Sequence, residues 1–183
     1  TLPSPYLEQG SYRQLLNTIA NDGAPAHLRT LVLGDIPLSQ RVSLDIGDLR
    51  PVVERCVALE ELELKRGMGI LGPLTSEVLR KLVFDNIAEP LRDLTRSTLP
   101  ALRDLAVLNG YGTVLLGLLV KAPMLDQLQS LTLRRCHLQD PDLELIRADS
   151  ARFQHLVRLD LRDNMFSRDA VRRARAKLPR LKA

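Results

Sequence analysis

The sequence predicts an α/β fold: a curved solenoid of about six stacked units, with a parallel sheet on its concave side, helices or irregular turns on its convex side, and an N-terminal helical cap. Three observations lead there. A Leu-x-x-Leu-x-Leu pattern recurs as Leu28-Leu31-Leu33, Leu59-Leu62-Leu64, Leu79-Leu82-Phe84, Leu102-Leu105-Val107, Leu128-Leu131-Leu133 and Leu156-Leu159-Leu161. Successive starts lie 31, 20, 23, 26 and 28 residues apart, and self-similarity at such a period is the mark of stacked supersecondary units. Finally, 45% of the 183 residues are hydrophobic but only 3% aromatic, with no Trp, so leucine carries the burial.

Each pattern reads as a short strand whose leucines face inward while the intervening side chains project outward, because strand side chains alternate. Stacking gives a parallel sheet, and the segments between patterns return on the other side of the core. Before the array, Ser11 and Gln14 spell a capping box for a helix through Ala20, with Gly23 as its stop. Leu15, Leu16 and Ile19 on that helix cover the first unit. The 31-residue first unit holds an insertion around Ile36 to Ile46. Asp48 caps a helix with Leu49, Val52, Val53 and Cys56 on one face. The short unit from Leu79 leaves room for one or two helical turns near Pro90 to Arg96. Thr113 to Val120 is apolar in nearly every helical direction, which calls for burial by neighbouring units. Asp140 and Pro141 read as N-cap and first helical residue, leading into Leu143, Leu145 and Ile146. Ser167 caps a last helix rich in arginine. Leu178-Pro-Arg-Leu181 echoes Leu99-Pro-Ala-Leu102, so a seventh unit begins near the end.

The most regular units are Leu-Gln-Ser-Leu-Thr-Leu-Arg-Arg-Cys-His-Leu (128–138) and Leu-Val-Arg-Leu-Asp-Leu-Arg-Asp-Asn-Met-Phe (156–166). With Cys136 and Asn164 at their ninth positions, they make the chain resemble the leucine-rich-repeat superfamily, and its longer units resemble the ribonuclease-inhibitor-like branch. The resemblance implies that Cys136 and Asn164 turn inward and tie down backbone after the strand. The earlier units depart from the pattern, with Ile36, Gly67, Ile87 and Gly110 in that slot. What the resemblance implies as a whole is one leucine-rich-repeat domain over 1–183, with a cap over 1–27 and repeats over 28–183. It further implies a non-enzymatic protein-recognition module, the sensor or docking arm of a larger bacterial protein. A chain beginning at Thr1 rather than Met fits a piece of something longer.

Composition narrows the alternatives. The formal charge of +4 is concentrated at one end: between Arg168 and Ala183 stand seven basic residues against Asp169, leaving the remainder at about −2. Cys56 and Cys136 have no metal-type spacing, and a reducing, cytoplasmic setting is expected. The most apolar run, Val114 to Val120, is far short of a membrane span, and no secretory signal is visible. His27, His137 and His155 assemble no zinc-like ligand set. His27 and His155 both precede a strand leucine and read as loop residues. No Gly-x-Ser-x-Gly elbow exists for a serine nucleophile. Gly67-Met-Gly69-Ile-Leu-Gly72 spells a phosphate-loop-like string, but Pro73 leaves no helix behind it, so a glycine-rich turn is expected. No catalytic residue, metal or cofactor is assigned.

Candidate function therefore rests on the outward strand positions. They run from acidic (Glu61, Glu63) through apolar (Val83, Ala106, Leu108) to basic (Arg134, Arg158, Arg162). Val83, Asp85, Ala106, Leu108, Arg134, Arg135, Arg158 and Arg162 make an apolar centre with a charged rim, the anatomy of a protein interface. The partner is expected to be a protein; its identity and the oligomeric state are open. The alternative is an anion-directed module in which Arg172, Arg173, Arg175 and Lys177 meet nucleic acid or an acidic membrane. Nucleic acid is the weaker option, because the tail has no aromatic residue for base stacking.

Overall fold

The computed structural model describes residues 12–22, 25–34, 45–70, 72–87, 94–110 and 112–183. They form an α/β structure with five helices and one parallel sheet. Its strands are β1 (Thr30–Leu33), β2 (Asp45–Asp48), β3 (Glu61–Ile70), β4 (Lys81–Ile87), β5 (Asp104–Leu108), β6 (Ser130–Arg134), β7 (Arg158–Asp160) and β8 (Leu181–Lys182). Seven lie in the order β1-β3-β4-β5-β6-β7-β8, and β2 pairs with the far half of β3. Helix α1 (Arg13–Asp22) precedes β1, and α2 (Arg50–Arg55), α3 (Gly112–Leu119), α4 (Asp140–Ala148) and α5 (Arg168–Arg175) lie in the connections, with 3-10 turns over Pro123–Gln127 and Ser150–Phe153. Among the described residues no helix is long and apolar enough to cross a membrane.

All six patterned segments are strands, and their leucines share one register. Leu31 stands opposite Leu62, Leu62 opposite Leu82, then Leu105, Leu131, Leu159 and Leu181 follow rung by rung. A parallel column of this kind reads as two alternating faces, one apolar and one polar. Every leucine in the column is at most 4% exposed. Each such burial contributes about 1.5–3 kcal/mol, so the column is the main reason these segments stay in register. The helices pack on this apolar face: Val52 and Val53 of α2, Leu116 and Leu119 of α3, Leu143 and Ile146 of α4, and Ala170 and Ala174 of α5 join the same core.

Helix starts hold two corrections. The α4 cap is Gln139, not Asp140: the Gln139 amide donates to Asp142 Oδ2 at 2.8 Å. Asp140 is freed to accept the Ser167 amide at 2.7 Å, which tethers the start of α5 to that of α4. Leu143 and Ile146 are buried, while Leu145 is 40% exposed. Ser167 caps α5 as expected, accepting from the Ala170 amide at 3.2 Å. The α2 N-cap position is Leu49, not Asp48, which stands one residue earlier and accepts from the Arg50 amide at 3.0 Å; Leu49, Val52, Val53 and Cys56 are buried as their spacing requires. α1 runs to Asp22 with Leu16 and Ile19 buried; Ser11 and Gly23 lie outside the described residues, as does most of the insertion and of the Pro90–Arg96 segment. The apolar helix α3 buries Leu116, Leu119 and the following Val120, while Val114 is 66% exposed.

The first part of the glycine string is not a turn. β3 continues as far as Ile70, pairing Lys65 with Asp85 and Gly67 with Ile87 on one side, and Met68, Gly69 and Ile70 with Asp45, Gly47 and Asp48 of β2 on the other, while Gly72 lies beyond the strand at φ +58. Two partner strands satisfy the backbone there, which removes the need for a turn. Nearby, Gly34 adopts φ +82 and sits so close to β3 that a Cβ on it would lie 1.6 Å from the Lys65 carbonyl oxygen. Only a residue without a side chain fits.

Candidate functional site

The outward face of the sheet is a grid. One row runs Glu61, Lys81, Asp104, Ser130, Arg158; the next Glu63, Val83, Ala106, Thr132, Asp160, Lys182; the third Lys65, Asp85, Leu108, Arg134. The middle row is more enclosed than alternation alone implies. Val83 and Thr132 are each 8% exposed, and Asp160 is fully buried. Val83 is therefore withdrawn from the accessible patch: it lies in register between Glu63 and Ala106, whose strands crowd it. Ala106 and Leu108 stay half-buried and carry the apolar centre alone.

Nor is the basic rim a set of free cations. Asp160 is braced from both sides, by Arg158 Nη2 at 2.9 Å and by Arg162 through Nε and Nη2 at 2.9 and 2.8 Å. The Arg162 guanidinium chiefly, with Arg158 and the Arg162 amide, holds the Asp160 carboxyl far below the ordinary carboxylate range despite its burial. Arg134 gives one terminal nitrogen to Asp163 at 2.5 Å, and Arg135 stands 3.8 Å from the same carboxylate. Asp163 is held below its ordinary value by these charges, Arg134 first. The Arg134 Nε is buried with no acceptor among the described residues. Four arginines thus share two carboxylates, and Lys182 adds a fifth cation beside Asp160. At the other end Lys81 pairs with Glu61 at 3.0 Å and Lys65 with Glu63 at 3.4 Å, while Asp85 accepts from Asn109 Nδ2 at 2.6 Å. Asp160, Asp163 and Lys182 were not among the candidate residues. Their alternation with arginine was the available signal.

The turns after the strands position this rim. Asn164 Oδ1 accepts from the Cys136 and Leu138 amides at 2.9 and 3.2 Å, and its Nδ2 donates to the Leu133 and Leu161 carbonyls at 2.7 Å each. One side chain thereby locks the turn after β6 to the turn after β7. Cys136 is buried one rung earlier, its Sγ 3.3 Å from the Val107 carbonyl oxygen, and burial pushes its thiol up to about 11. At or just past the ends of β4, β5, β6 and β7 the chain passes through a left-handed residue, Asn86 at φ 56, Asn109 at 54, Arg135 at 52 and Asp163 at 63, and the turn after β6 holds a second, His137 at 55. Asn and Asp tolerate this region, whereas an arginine there costs about 1–2 kcal/mol.

The arginines of α5 face a different direction and are partly engaged. Arg172 pairs with Asp169 at 2.9 Å and Arg173 with Glu144 at 3.0 Å; Arg175 donates to the Ala183 carbonyl at 3.0 Å. Lys177 is exposed. Beside this helix lies a cavity of about 470 Å³ lined by Phe166, Val171, Arg168, Arg172 and Arg175 among others. His27 and His155 are both exposed loop residues, the latter with Nε2 3.0 Å from the Leu125 carbonyl oxygen. Among the described residues no three His, Cys, Asp or Glu side chains converge as a metal site.

No family model matches the chain, and neither does any curated protein. A crystal structure of a Bacteroides fragilis protein, a structural-genomics target, superposes with a TM-score of 0.64 at 17% identity, over 96% of this chain. The likeness is one of fold. This chain spans 62% of that protein's length.

Proposed function

We propose that this chain is a leucine-rich-repeat solenoid of six full units and the start of a seventh, and that it acts as a non-enzymatic protein-recognition module. Partner contact falls on the outward sheet face, at Asp85, Ala106, Leu108, Arg134, Arg135, Arg158 and Arg162. The observation that carries the reading is the half-buried Ala106–Leu108 pair flanked by arginines on a rigid sheet, since interfaces combine a desolvated apolar centre with a charged rim. The single-register leucine column and the Asn164 lock support the repeat assignment. Two buried, unpaired thiols, Cys56 and Cys136, fit a reducing compartment such as the bacterial cytoplasm.

The test is affinity capture from native lysate, with and without nuclease, comparing wild type with Leu108→Glu. A protein retained after nuclease and lost in the variant supports the reading. Recovery that vanishes with nuclease and ignores Leu108 assigns the activity to the α5 arginines, and neutralising Arg172, Arg173 and Arg175 would then abolish it.

A further inference from the structure

Resting on that assignment of the face, we infer the chemistry of what binds there: an extended protein segment carrying an acidic cluster next to aliphatic residues, laid across the strands with its carboxylates over β6 and β7. Three observations converge on it. The first is charge imbalance. Among the described residues at this end of the face, Arg134, Arg135, Arg158, Arg162 and Lys182 outnumber the carboxylates Asp160 and Asp163, and Arg158 spends one terminal nitrogen on Asp160 while its side chain stays 49% exposed. Arg135 is 66% exposed, with its one carboxylate 3.8 Å away. Guanidinium donors left over in this way match carboxylates bidentately.

The second is polarity along the face. Glu61, Glu63, Asp85 and Asp104 outnumber Lys65 and Lys81 over β3 to β5, so the potential reverses within a few strands. A nucleic acid, uniformly negative, would gain at β7 and lose against the acidic excess of β3 to β5; a protein segment can change sign or turn apolar along its length. Leu108 and Ala106 stand directly between the two ends, in register with Arg134 and Thr132, which places aliphatic side chains next to the carboxylates.

The third is backbone. Four successive turns use a left-handed residue at this slot, and three fill it with Asn or Asp, while Arg135 occupies the remaining one at φ 52, in a turn where His137 is left-handed as well at φ 55. An arginine held in a conformation it disfavours marks a position selected for its charge at the expense of stability.

Strands lie about 4.8 Å apart and an extended chain advances about 3.3 Å per residue, so ten residues reach from β7 past β4. The experiment uses fluorescein-labelled, end-capped ten-residue peptides and fluorescence anisotropy. One peptide carries Glu, Leu and Lys in separate blocks in that order, a second intersperses the same residues, a third is all Glu, and a single-stranded DNA ten-mer is the polyanion control. The ordered peptide is expected to bind about tenfold tighter than the interspersed one. Arg135→Asn, which suits the backbone better than the native residue, is expected to weaken it several-fold while thermal stability holds or rises, and Arg134→Ser with Arg135→Asn about tenfold. Equal binding of the interspersed peptide, tighter binding of DNA, no binding of any peptide, or indifference to Arg135→Asn overturns the inference. Capture that still depends on Leu108 but not on Arg134 and Arg135 would discard the acidic partner and leave the face itself standing as the binding surface.

Discussion

Two junctions in this protein solve one problem differently. Between β6 and β7 the strands are joined by a side chain: Asn164 spans both turns with four short hydrogen bonds. Between β1 and β3 they are joined by the lack of one: Gly34 lets the backbone close on the Lys65 carbonyl, and the Tyr12 hydroxyl accepts the Gly34 amide at 3.0 Å. The first junction is regular and leaves short strands with exposed arginines at their ends. The second spends its length on a ten-residue β3 that takes an additional neighbour, β2. The lesson is that the leucine column tolerates either closure, and that regular turns are found where the candidate binding rim is built.

The sharpest way to break that contrast is Gly34→Ala. The new Cβ collides with backbone and demands a left-handed alanine, so a loss of about 4 kcal/mol is expected in urea denaturation. Amide exchange should speed at Leu31 and Leu33 and leave Leu159 unchanged. Asn164→Ala comes next, about 3 kcal/mol, because it strands the Cys136 and Leu138 amides in a partly buried turn; exchange should then speed in the C-terminal half alone. Asp160→Asn should cost about 1–2 kcal/mol, moderated because Arg158 and Arg162 are roughly half exposed.

The same aspartate predicts a pH dependence. Its carboxyl titrates below the ordinary 3.8 in the folded chain, so the unfolded chain binds a proton first as pH falls. The contribution is complete above the ordinary value and is lost progressively below it. Wild type should therefore lose stability more steeply than Asp160→Asn below about pH 4, a difference visible in parallel denaturation curves. The smallest effect has the opposite sign: Arg135→Asn should raise stability by about 0.5–1 kcal/mol.

The strands were legible because the residues that make them are local. Leu59, Leu62 and Leu64 carry both the alternation and the burial within six positions, and the same holds in the other five segments. The outward grid followed from alternation too, which is how Arg158 and Arg162 were found. What alternation could not show is reach. Asp160 and Asp163 meet arginines from their own and the preceding strand, so four candidate cations proved to be paired or shared. Val83 faces outward as expected yet is covered, because crowding depends on which side chains stand on adjacent rungs. Gly67 and Gly69 look like a turn in one dimension; Ile87 of β4 opposite Gly67 and the arrival of β2 beside Gly69 make them a strand. The Gln139 cap was missed because Asp140 is the better capping residue by type, and the Ser167 amide claims it.

The unbroken register from Leu31 to Leu181 also gives the molecule a gauge. Ala106 and Asp160 are 54 positions apart in the chain but two rungs apart in one row of the sheet, about 10 Å. Distances across the face are therefore counted in strands, at a pitch set by backbone hydrogen bonding, and the 20 to 31 residues from one pattern start to the next do not enter them. Loops here can lengthen or shorten without rescaling the face. Duplicating one whole segment, such as 128–155, would instead move Arg158 and Arg162 one tick, about 5 Å, farther from Leu108, while a copy of Arg134 stays beside it and every leucine remains in step.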